Sequence, residues 1–408
     1  VSPARARRVV AIAVTLNLVV LAWFKYANFL ADNVNAVLGL AGVPAMPLKT
    51  VVLPIGISFF TFHAISYVVD VYRRAATAQK SPVHAALYML LFPQLIAGPI
   101  IRYREIADQL ADRRVTLDDL AAGIRRFVIG LGKKMLIANV VAGPADRIFA
   151  MPTAQLDAAY AWLGITCYTL QIYFDFSGYS DMAIGLARMF GFRFPENFRW
   201  PYVADTIQEF WRRWHISLSS WFRDYLYVPL GGNRLSGART YANLITVFFL
   251  CGLWHGASWT FVVWGLFHGA FLVVERLGLA AFVKGAPRPL RHLYVLVVVM
   301  IGWVFFRADT FSGAAGFIAA MFGGGAGAPA PLTLRFFLTP ELLIALTAGI
   351  VGSMPVIPAA VRVYHRVRWP VAQFGLDAVA TVLLMGVLVA AAMQMAANTY
   401  NPFIYFRF

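Results

Sequence analysis

The sequence predicts an all-α, polytopic integral membrane protein, and three observations lead to this fold class. Of its 408 residues, 60% are hydrophobic and only 13% are charged, whereas soluble domains carry about 25% charged residues. The apolar residues form runs long enough for membrane-spanning helices, not the alternating strands of a β-barrel. Lys and Arg gather in short links between these runs, as in cytoplasmic loops. The net charge of +16 therefore indicates membrane orientation and not nucleic-acid binding.

The distribution of Lys and Arg predicts the orientation of each span. The link 31–47 contains neither residue and is predicted to be periplasmic, whereas the basic links 73–80, 188–239 and 275–291 are predicted to be cytoplasmic. The chain begins at Val1 without an initiator Met, and we expect further spans upstream of it. In chain order, the predicted spans cover residues 9–24, 51–69, 127–142, 158–176, 241–254, 261–274, 292–306, 334–351 and 376–395.

The apolar segment 85–101 is interrupted by Pro93, Gly98 and Pro99. Proline removes a backbone donor and breaks the hydrogen-bond ladder of a helix. Because both flanks of the segment are basic, we interpret it as a re-entrant or broken helix, with a proline-kinked span as the equal alternative. Irregular backbone at membrane depth persists only where it is buried in protein or lines a wet cavity. A broken helix here would therefore form the wall of a site.

Charged residues in the middle of the chain give two further predictions. Residues 108–126 carry charges of both signs and predict a solvated cytoplasmic helix. Residues 127–142 form a weak span that contains Lys133 and Lys134. If these lysines lie near the cytoplasmic end of the span, their side chains can extend along the helix to the interface.

Two acidic residues bracket a predicted turn at the end of the span 158–176. Asp175 and Asp181 lie in the sequence QIYFDFSGYSDMAIGL, on either side of a Ser-Gly pair. They are candidates for substrate binding through a polar network. Helix N-capping by Ser180 or Asp181 is the simpler explanation for one of the two acids.

Two histidines are candidates for catalysis. His255 lies well inside an apolar run, where ionisable residues are costly and tend to be functional, and a neutral imidazole can accept a proton near pH 7. The alternative is a histidine that forms hydrogen bonds between helices. His215 lies in a segment rich in arginine and aromatic residues. On the residues alone, an interfacial histidine beside Arg212 and Arg213 is the simpler interpretation of His215.

The remaining histidines and the cysteines predict no metal site. A catalytic zinc ion needs three protein ligands and an open position, and no such spacing is present. His63 is predicted to face inward and to be hydrogen-bonded, and His268 is predicted to pack. Cys167 and Cys251 both lie in apolar runs and predict buried free thiols.

The histidine motifs resemble those of a known family. The strings WRRWHISLSSWFRDYLYVPLGGNR and LWHGASW, with FFTFHAISYVVDVYR and FPQLIAGPI, are similar to the membrane-bound O-acyltransferase (MBOAT) family, in particular to the bacterial branch of alginate O-acetylation. The resemblance covers nearly the whole chain. It implies one transmembrane domain over 1–408, with re-entrant and interfacial helices around a central tunnel. It also implies that His255 and His215 are catalytic and that FPQLIAGPI borders the site.

The resemblance further implies the reaction. We expect acetyl transfer from a cytoplasmic donor, acetyl-CoA, across the bacterial inner membrane to a hydroxyl of a periplasmic partner protein or an exopolysaccharide, with no bound cofactor. D-alanyl transfer to teichoic acid is one alternative. Transport of a polysaccharide intermediate is another, although transporters tend to contain internal repeats and paired broken helices. The predicted substrate-binding residues are Arg212, Arg213, Trp254, Asp175, Asp181 and Asn233.

Overall fold

The protein folds as a bundle of helices. The structure, a computed structural model, describes residues 2–325, 328, 332–367, 369–397 and 403. Within these residues it contains α-helices joined by short 3₁₀ and π-helical turns, and no strand, which confirms the predicted all-α class. The helices are α1 Pro3–Leu40, α2 Ile57–Tyr72, α3 Pro82–Leu90, α4 Tyr103–Ala111, α5 Leu117–Gly132, α6 Asn139–Phe149, α7 Ala158–Met189, α8 Ile207–Arg213, α9 Ile216–Phe222, α10 Gly237–His255, α11 Trp259–Val274, α12 Ala280–Gly285, α13 Arg288–Arg307, α14 Phe311–Met321, α15 Leu334–Phe337, α16 Pro340–Gly352, α17 Val356–Tyr364 and α18 Pro370–Ala397.

Several of these helices are suited to a bilayer. Among the described residues, five helical segments are long and apolar enough to cross a membrane. Helices α16 and α17 are bent by 66° relative to each other and form a broken span or a re-entrant pair. The chain is therefore a multi-pass membrane protein. The five segments are Pro3–Leu40, Leu117–Phe149, Trp259–Gly285, Arg288–Arg307 and Pro370–Ala397.

Two predicted boundaries are wrong at the start of the chain. The predicted periplasmic link 31–47 is helical as far as Leu40, because α1 continues into it and residues 31–38 contain neither Gly nor Pro. The predicted helix 108–126 is two helices, since α4 ends at Ala111 and α5 begins after Thr116. The Thr116 hydroxyl accepts a hydrogen bond from the Asp119 amide at 3.1 Å, and this N-cap starts a new helix.

Helix α7 contradicts the predicted turn, and the predicted N-cap, around Ser180. It continues through Ala158–Met189 without a break. Asp181 forms ion pairs with Lys133 and Arg126, each at 2.6 Å, and Asp175 pairs with Lys134. Buried charges require partners, and the two lysines supply them here. These pairs join α7 to the continuous helical stretch of α5 and α6.

The broken segment is not a kinked span. Helix α3 ends at Leu90, one 3₁₀ turn covers Phe92–Gln94, and extended chain leads to α4. Ile96 adopts a left-handed backbone conformation with φ of 70°. The side chains from Ala97 to Arg102 are buried. Irregular backbone is thus enclosed by protein, as the broken-helix interpretation predicts, and the alternative of a continuous proline-kinked helix is wrong.

Helices α10 and α11 form a tight hairpin that places His255 at its turn. Only residues 256–258 separate the two helices. A Cβ atom on Gly252 would lie 2.4 Å from the Phe261 carbonyl oxygen, and one on Gly265 would lie 2.2 Å from that of Phe248. Any larger residue at either position would push the helices apart, so these glycines permit the close packing of α10 and α11.

Candidate active site

The two predicted catalytic histidines come from separate elements and meet around one tryptophan. His215 precedes α9 and His255 is the last residue of α10. The Trp254 ring lies 6.5 Å from the His215 ring and 4.9 Å from the His255 ring, centroid to centroid. The two imidazoles lie within electrostatic range of each other. The structure therefore brings together the two histidines that the sequence motifs single out.

His215 is fixed by the turn between α8 and α9. Its backbone is left-handed, with φ of 43° and ψ of 56°, a conformation in which His is enriched over most non-glycine residues. The imidazole packs edge-on against Phe176 at 4.6 Å and is only 1% exposed. Burial lowers the pKa of His215 to about 3, because a low-dielectric environment disfavours the imidazolium. His215 is therefore neutral near pH 7.

Asn197 holds the His215 ring and was not found from the sequence. Its side-chain oxygen lies 3.1 Å from His215 Nδ1 and accepts two hydrogen bonds from Ser217. Asn197 lies in a loop, where asparagine is common for its turn-forming properties. Nothing in that local pattern distinguishes it as a site residue. His215 Nε2 is buried and has no hydrogen-bond partner among the described residues.

His255 is enclosed by aromatic rings and is anchored through its backbone. The rings of Trp264 and Phe306 lie 4.9 Å and 5.2 Å from its imidazole. The Lys25 ammonium of α1 donates to the carbonyl oxygen of Trp254 and to that of His255, the latter at 3.4 Å. The last carbonyls of a helix lack partners within the helix and favour a cation. Lys25 therefore completes the end of α10.

An aromatic stack joins the two histidine motifs. Phe62 of α2 lies between Trp221 of α9, at 3.9 Å and 15°, and Trp254 of α10, at 5.1 Å and 11°. The Trp221 indole also donates to the Phe62 carbonyl oxygen at 3.2 Å. Stacked rings of this kind add about 0.5–1.5 kcal/mol per pair beyond their area burial. The stack therefore sets the spacing between α9 and α10.

The broken segment borders the His215 turn. The Ile100 amide donates to the Ser217 hydroxyl at 3.0 Å, and the Tyr179 hydroxyl donates to the Leu95 carbonyl oxygen at 2.9 Å. Ser217 is two residues after His215 in the chain. Backbone groups freed by the helix break are thus satisfied by the turn that carries the histidine, through Ser217, and by α7, through Tyr179.

One cavity reaches α10 from the arginine-rich side. It has a volume of about 420 Å³ and is lined by Arg212, Arg223 and Arg276 together with apolar residues of α10. Cys251 also lines it and precedes His255 by about one helical turn. We refer to this space, defined by the three arginines and Cys251, as the basic cavity.

A second cavity lies at the turn of the α10–α11 hairpin. It also has a volume of about 420 Å³ and is lined by Asp32 and Asn33 of α1, by residues 257–260 and by Asp309. We refer to it, by these residues, as the acidic cavity. Along α10, the basic cavity touches Leu244, Val247, Phe248 and Cys251, which precede His255, and the acidic cavity touches residues 257–260, which follow it. His255 lies between these two stretches of the hairpin and lines neither cavity.

The predicted pair of arginines is divided. Arg212 lines the basic cavity, and its guanidinium has no polar partner in the described part of the chain. Arg213 does not line that cavity, because its guanidinium binds Glu209 at 2.5 Å and the Arg199 carbonyl oxygen at 3.3 Å. Asn233 lies beside the basic cavity and accepts a hydrogen bond from Arg276 at 3.1 Å.

Other polar candidates are occupied or enclosed. The carboxylates of Asp175 and Asp181 form the ion pairs described above, and their contact with substrate stays a prediction. His63 and His268 are buried, but neither ring has a hydrogen-bond partner among the described residues, so the prediction that His63 is hydrogen-bonded is wrong. No group of three His, Cys, Asp or Glu side chains in the described ranges is placed to hold a metal ion.

Comparisons with known proteins identify the family of this chain. Residues 8–312 match the model of the MBOAT, membrane-bound O-acyltransferase family. The chain is 42% identical to a probable alginate O-acetylase AlgI of Azotobacter vinelandii, over 99% of this chain and 85% of that protein. It is 39% identical to a peptidoglycan O-acetyltransferase of Helicobacter pylori, over 75% of this chain and 63% of that protein. A teichoic acid D-alanyltransferase of Bacillus subtilis is more distant, at 30% identity over 56% of this chain and 60% of that protein. This chain belongs to the membrane-bound O-acyltransferase family and is an O-acyltransferase.

Proposed function

We propose that this protein transfers an acetyl group from cytoplasmic acetyl-CoA to a hydroxyl group on the periplasmic side of the bacterial inner membrane. The observation that carries the proposal is the position of His255 in the α10–α11 hairpin, between the stretch of α10 that lines the basic cavity and the residues 257–260 that line the acidic cavity. A donor and an acceptor that arrive from opposite sides could meet at this imidazole. Two relatives, an alginate O-acetylase and a peptidoglycan O-acetyltransferase, support acetyl as the acyl group.

The basic cavity suits a phosphate-bearing thioester. Arginine forms bidentate contacts with phosphate, and Arg212 is available because it has no polar partner among the described residues. The interior of the cavity is apolar, with Leu244, Val247 and Cys251 along α10. A flexible arm that carries a thioester would extend along these residues until its acyl group reaches the turn beyond Cys251, where His255 lies.

The two histidines have different roles in this proposal. The neutral His255 imidazole removes the proton from the acceptor hydroxyl as the oxygen attacks the thioester carbonyl carbon. The carbon–oxygen bond forms, the carbon–sulfur bond breaks, and the leaving thiolate takes up a proton. His215 Nε2, a buried lone pair without a partner among the described residues, accepts a hydrogen bond from a reacting group and orients it. A positioned base of this kind contributes roughly 10²–10⁴-fold to the rate.

The acidic cavity supports an approach of the acceptor from the other end of the hairpin. We propose that the acceptor is an exopolysaccharide hydroxyl, as in alginate O-acetylation, or a periplasmic protein that passes the acetyl group on. The names of the relatives, which refer to alginate and peptidoglycan, support a polysaccharide as the final product. We further propose that residues 1–408 act as one transmembrane domain, in contact with the lipid bilayer, the donor and the acceptor.

Reconstitution into proteoliposomes tests this function. Acetyl-labelled CoA is supplied on one side of the bilayer, and hydroxyl-bearing oligosaccharides or candidate partner proteins are supplied on the other. We expect wild-type protein to move label to an acceptor and to release CoA, and His255→Ala to do neither. Use of a D-alanyl carrier thioester in place of acetyl-CoA would favour the teichoic acid alternative. Unmodified oligosaccharide crossing the bilayer without CoA release would favour transport.

A further inference from the structure

Asn197 is the centre of a buried hydrogen-bond network that includes His215. Its side chain is fully buried. Its amide oxygen accepts from the Ser217 amide at 3.2 Å and from the Ser217 hydroxyl at 2.9 Å, and its amide nitrogen donates to the Ser180 hydroxyl at 3.0 Å. The same oxygen lies 3.1 Å from His215 Nδ1. The network therefore connects the loop of Asn197, the turn of His215 and helix α7.

The orientation of the Asn197 amide follows from its neighbours. A backbone N–H group can only donate, so the atom that faces the Ser217 amide must be the oxygen. The Ser217 hydroxyl accepts from the Ile100 amide at 3.0 Å, which leaves its own proton to donate to Asn197. The amide and the hydroxyl of Ser217 thus fix the Asn197 oxygen on the side of His215. In a flipped orientation, the Asn197 NH2 group would face the Ser217 N–H group.

This orientation determines the tautomer of His215. A neutral imidazole carries one proton, and the nitrogen that faces a carbonyl oxygen must carry it to avoid two opposing lone pairs. We propose that Asn197 is a positioning residue that holds the proton of His215 on Nδ1, so that Nε2 presents a lone pair to the reacting groups. The Asn197 backbone carbonyl also accepts from the Ile216 amide at 2.9 Å, so the same residue fixes both the ring and the turn that carries it.

As a consequence, His215 Nε2 is a hydrogen-bond acceptor in the site and not a donor. Without Asn197, either tautomer of the buried ring could form, and the tautomer with the proton on Nε2 would not accept a hydrogen bond from a hydroxyl. At metal sites, hydrogen-bond partners that orient a histidine contribute about 10–100-fold to activity or affinity, and we take this as the order of magnitude for Asn197. We expect a loss in kcat of that size, with little change in the KM for the donor, because the basic cavity is not altered.

The Asn197→Asp variant provides a readout that a purely structural role would not change. The two side chains have the same shape, and Ser217 and Ser180 can donate to the carboxylate and keep it ionised. The carboxylate favours the imidazolium form of His215, so the neutral ring is lost at a higher pH than in wild type. The other titratable groups on packed elements and on the loop are His255, Lys25, the paired Asp175 and Asp181, and Glu196, which pairs with Arg126.

The expected pH profiles follow from the direction of this change in the His215 pKa. With a His215 pKa of about 3, wild-type kcat has no acid limb from His215 between pH 5 and 8. An added anion within about 4–6 Å raises a pKa by roughly 1–3 pH units. The variant should therefore gain an acid limb between about pH 4 and 6. Ser180→Ala is the matched control, because it removes the contact on the far side of the amide, and its profile should resemble that of wild type.

The test combines these profiles with nitrogen NMR of full-length protein labelled at the histidine rings. The kinetic part of the test rests on the proposed acyl transfer, whereas the NMR part is independent of activity. His215→Ala assigns the ring signals, and we expect Nε2 of His215 to be unprotonated in wild type and at least partly protonated in Asn197→Leu. A His215 tautomer that is the same in wild type and Asn197→Leu, or an Asn197→Asp profile identical to that of wild type, would overturn the proposal. Absence of acetyl transfer by wild type, with the NMR result as expected, would reject the proposed function alone.

Discussion

The two histidines of the site are held in opposite ways. His215 begins a helix, its ring is bound by Asn197, and it is 1% exposed. His255 ends a helix, its ring Nδ1 is buried without a hydrogen-bond partner among the described residues, and the residue is 7% exposed. Instead, Lys25 anchors the backbone of His255 by donating to the carbonyl oxygens of Trp254 and His255.

This difference separates the roles that two similar side chains can take. A ring whose second nitrogen is permanently bonded keeps one tautomer and orients a partner. A ring without such a bond can take up a proton on one nitrogen and release it again. The geometry therefore favours His215 as the fixed acceptor and His255 as the group that exchanges a proton during turnover.

The largest effect is expected for His255→Ala. Acetyl transfer should fall by roughly 10²–10⁴-fold, the contribution of a positioned base, while the protein still inserts and elutes normally. His215→Ala should impair turnover and leave residual activity, because it removes orientation and not the base. Acetyl-transfer assays on purified variants of matched abundance measure both.

His365→Ala, at an exposed histidine, is the control for this pair and should keep full activity. Near wild-type turnover of His255→Ala would mean that the base is another group.

Lys25→Met tests the anchoring of His255 through its backbone. The change removes the donor to two carbonyl oxygens at the end of α10, and hydrogen bonds to charged groups contribute about 1.5–3 kcal/mol. We expect a lower unfolding temperature and a kcat reduced by roughly 10 to 10²-fold, since a misplacement of about 1 Å has effects of that order. Lys49→Met, at an exposed position, should change neither. Unchanged kcat in Lys25→Met would show that His255 does not need this anchor.

Arg212 and Arg213 form a matched pair for the donor side. Arg212→Ala should raise the KM for acetyl-CoA by roughly tenfold, because one phosphate contact of about 1.5 kcal/mol is lost. Arg213→Ala should leave that KM unchanged, since its guanidinium is bound to Glu209 outside the basic cavity. Donor saturation curves for the two variants measure both KM values. Equal KM values would indicate that Arg212 serves only to orient the chain in the membrane.

The smallest effect is expected for Phe62→Leu. The substitution removes two stacking contacts of about 0.5–1.5 kcal/mol each and keeps an apolar residue between Trp221 and Trp254. We expect a few-fold decrease in kcat and a slightly lower unfolding temperature. Phe374→Leu, on the exposed face of α18, is the control. An unchanged kcat in Phe62→Leu would mean that the stack does not set the spacing of the two histidines.

The sequence was sufficient for the class of fold and for the two histidines. Long apolar runs fix the all-α membrane class because a bilayer leaves few other ways to satisfy the backbone. His255 and His215 could be found because each lies in a distinctive motif. The broken segment was also predictable, since proline and glycine act locally on the backbone.

The errors arise where distant residues override local preference. Ser and Gly around Ser180 favour a turn locally, but ion pairs of Asp175 and Asp181 with lysines of the neighbouring helical stretch keep α7 continuous. Lys25, just after the predicted span 9–24, resembles an ordinary basic residue at a span end, because its partners are 229 and 230 residues away in the chain. Contacts over such separations leave no mark in the local pattern.

The attachment of α1 to the end of α10 makes bilayer thickness relevant to catalysis. With 38 residues, α1 is about 57 Å long at 1.5 Å per residue, far more than the roughly 30 Å of a hydrocarbon core. Such a helix accommodates by tilting, and most of its surface faces outward, with Leu21 as its one buried residue. Its tilt depends on the lipid chains around it, and Lys25 and Tyr26 connect it to the last turn of α10. We therefore expect turnover to vary with the length of the lipid acyl chains in reconstituted membranes. The lipid composition would then influence the activity of the site.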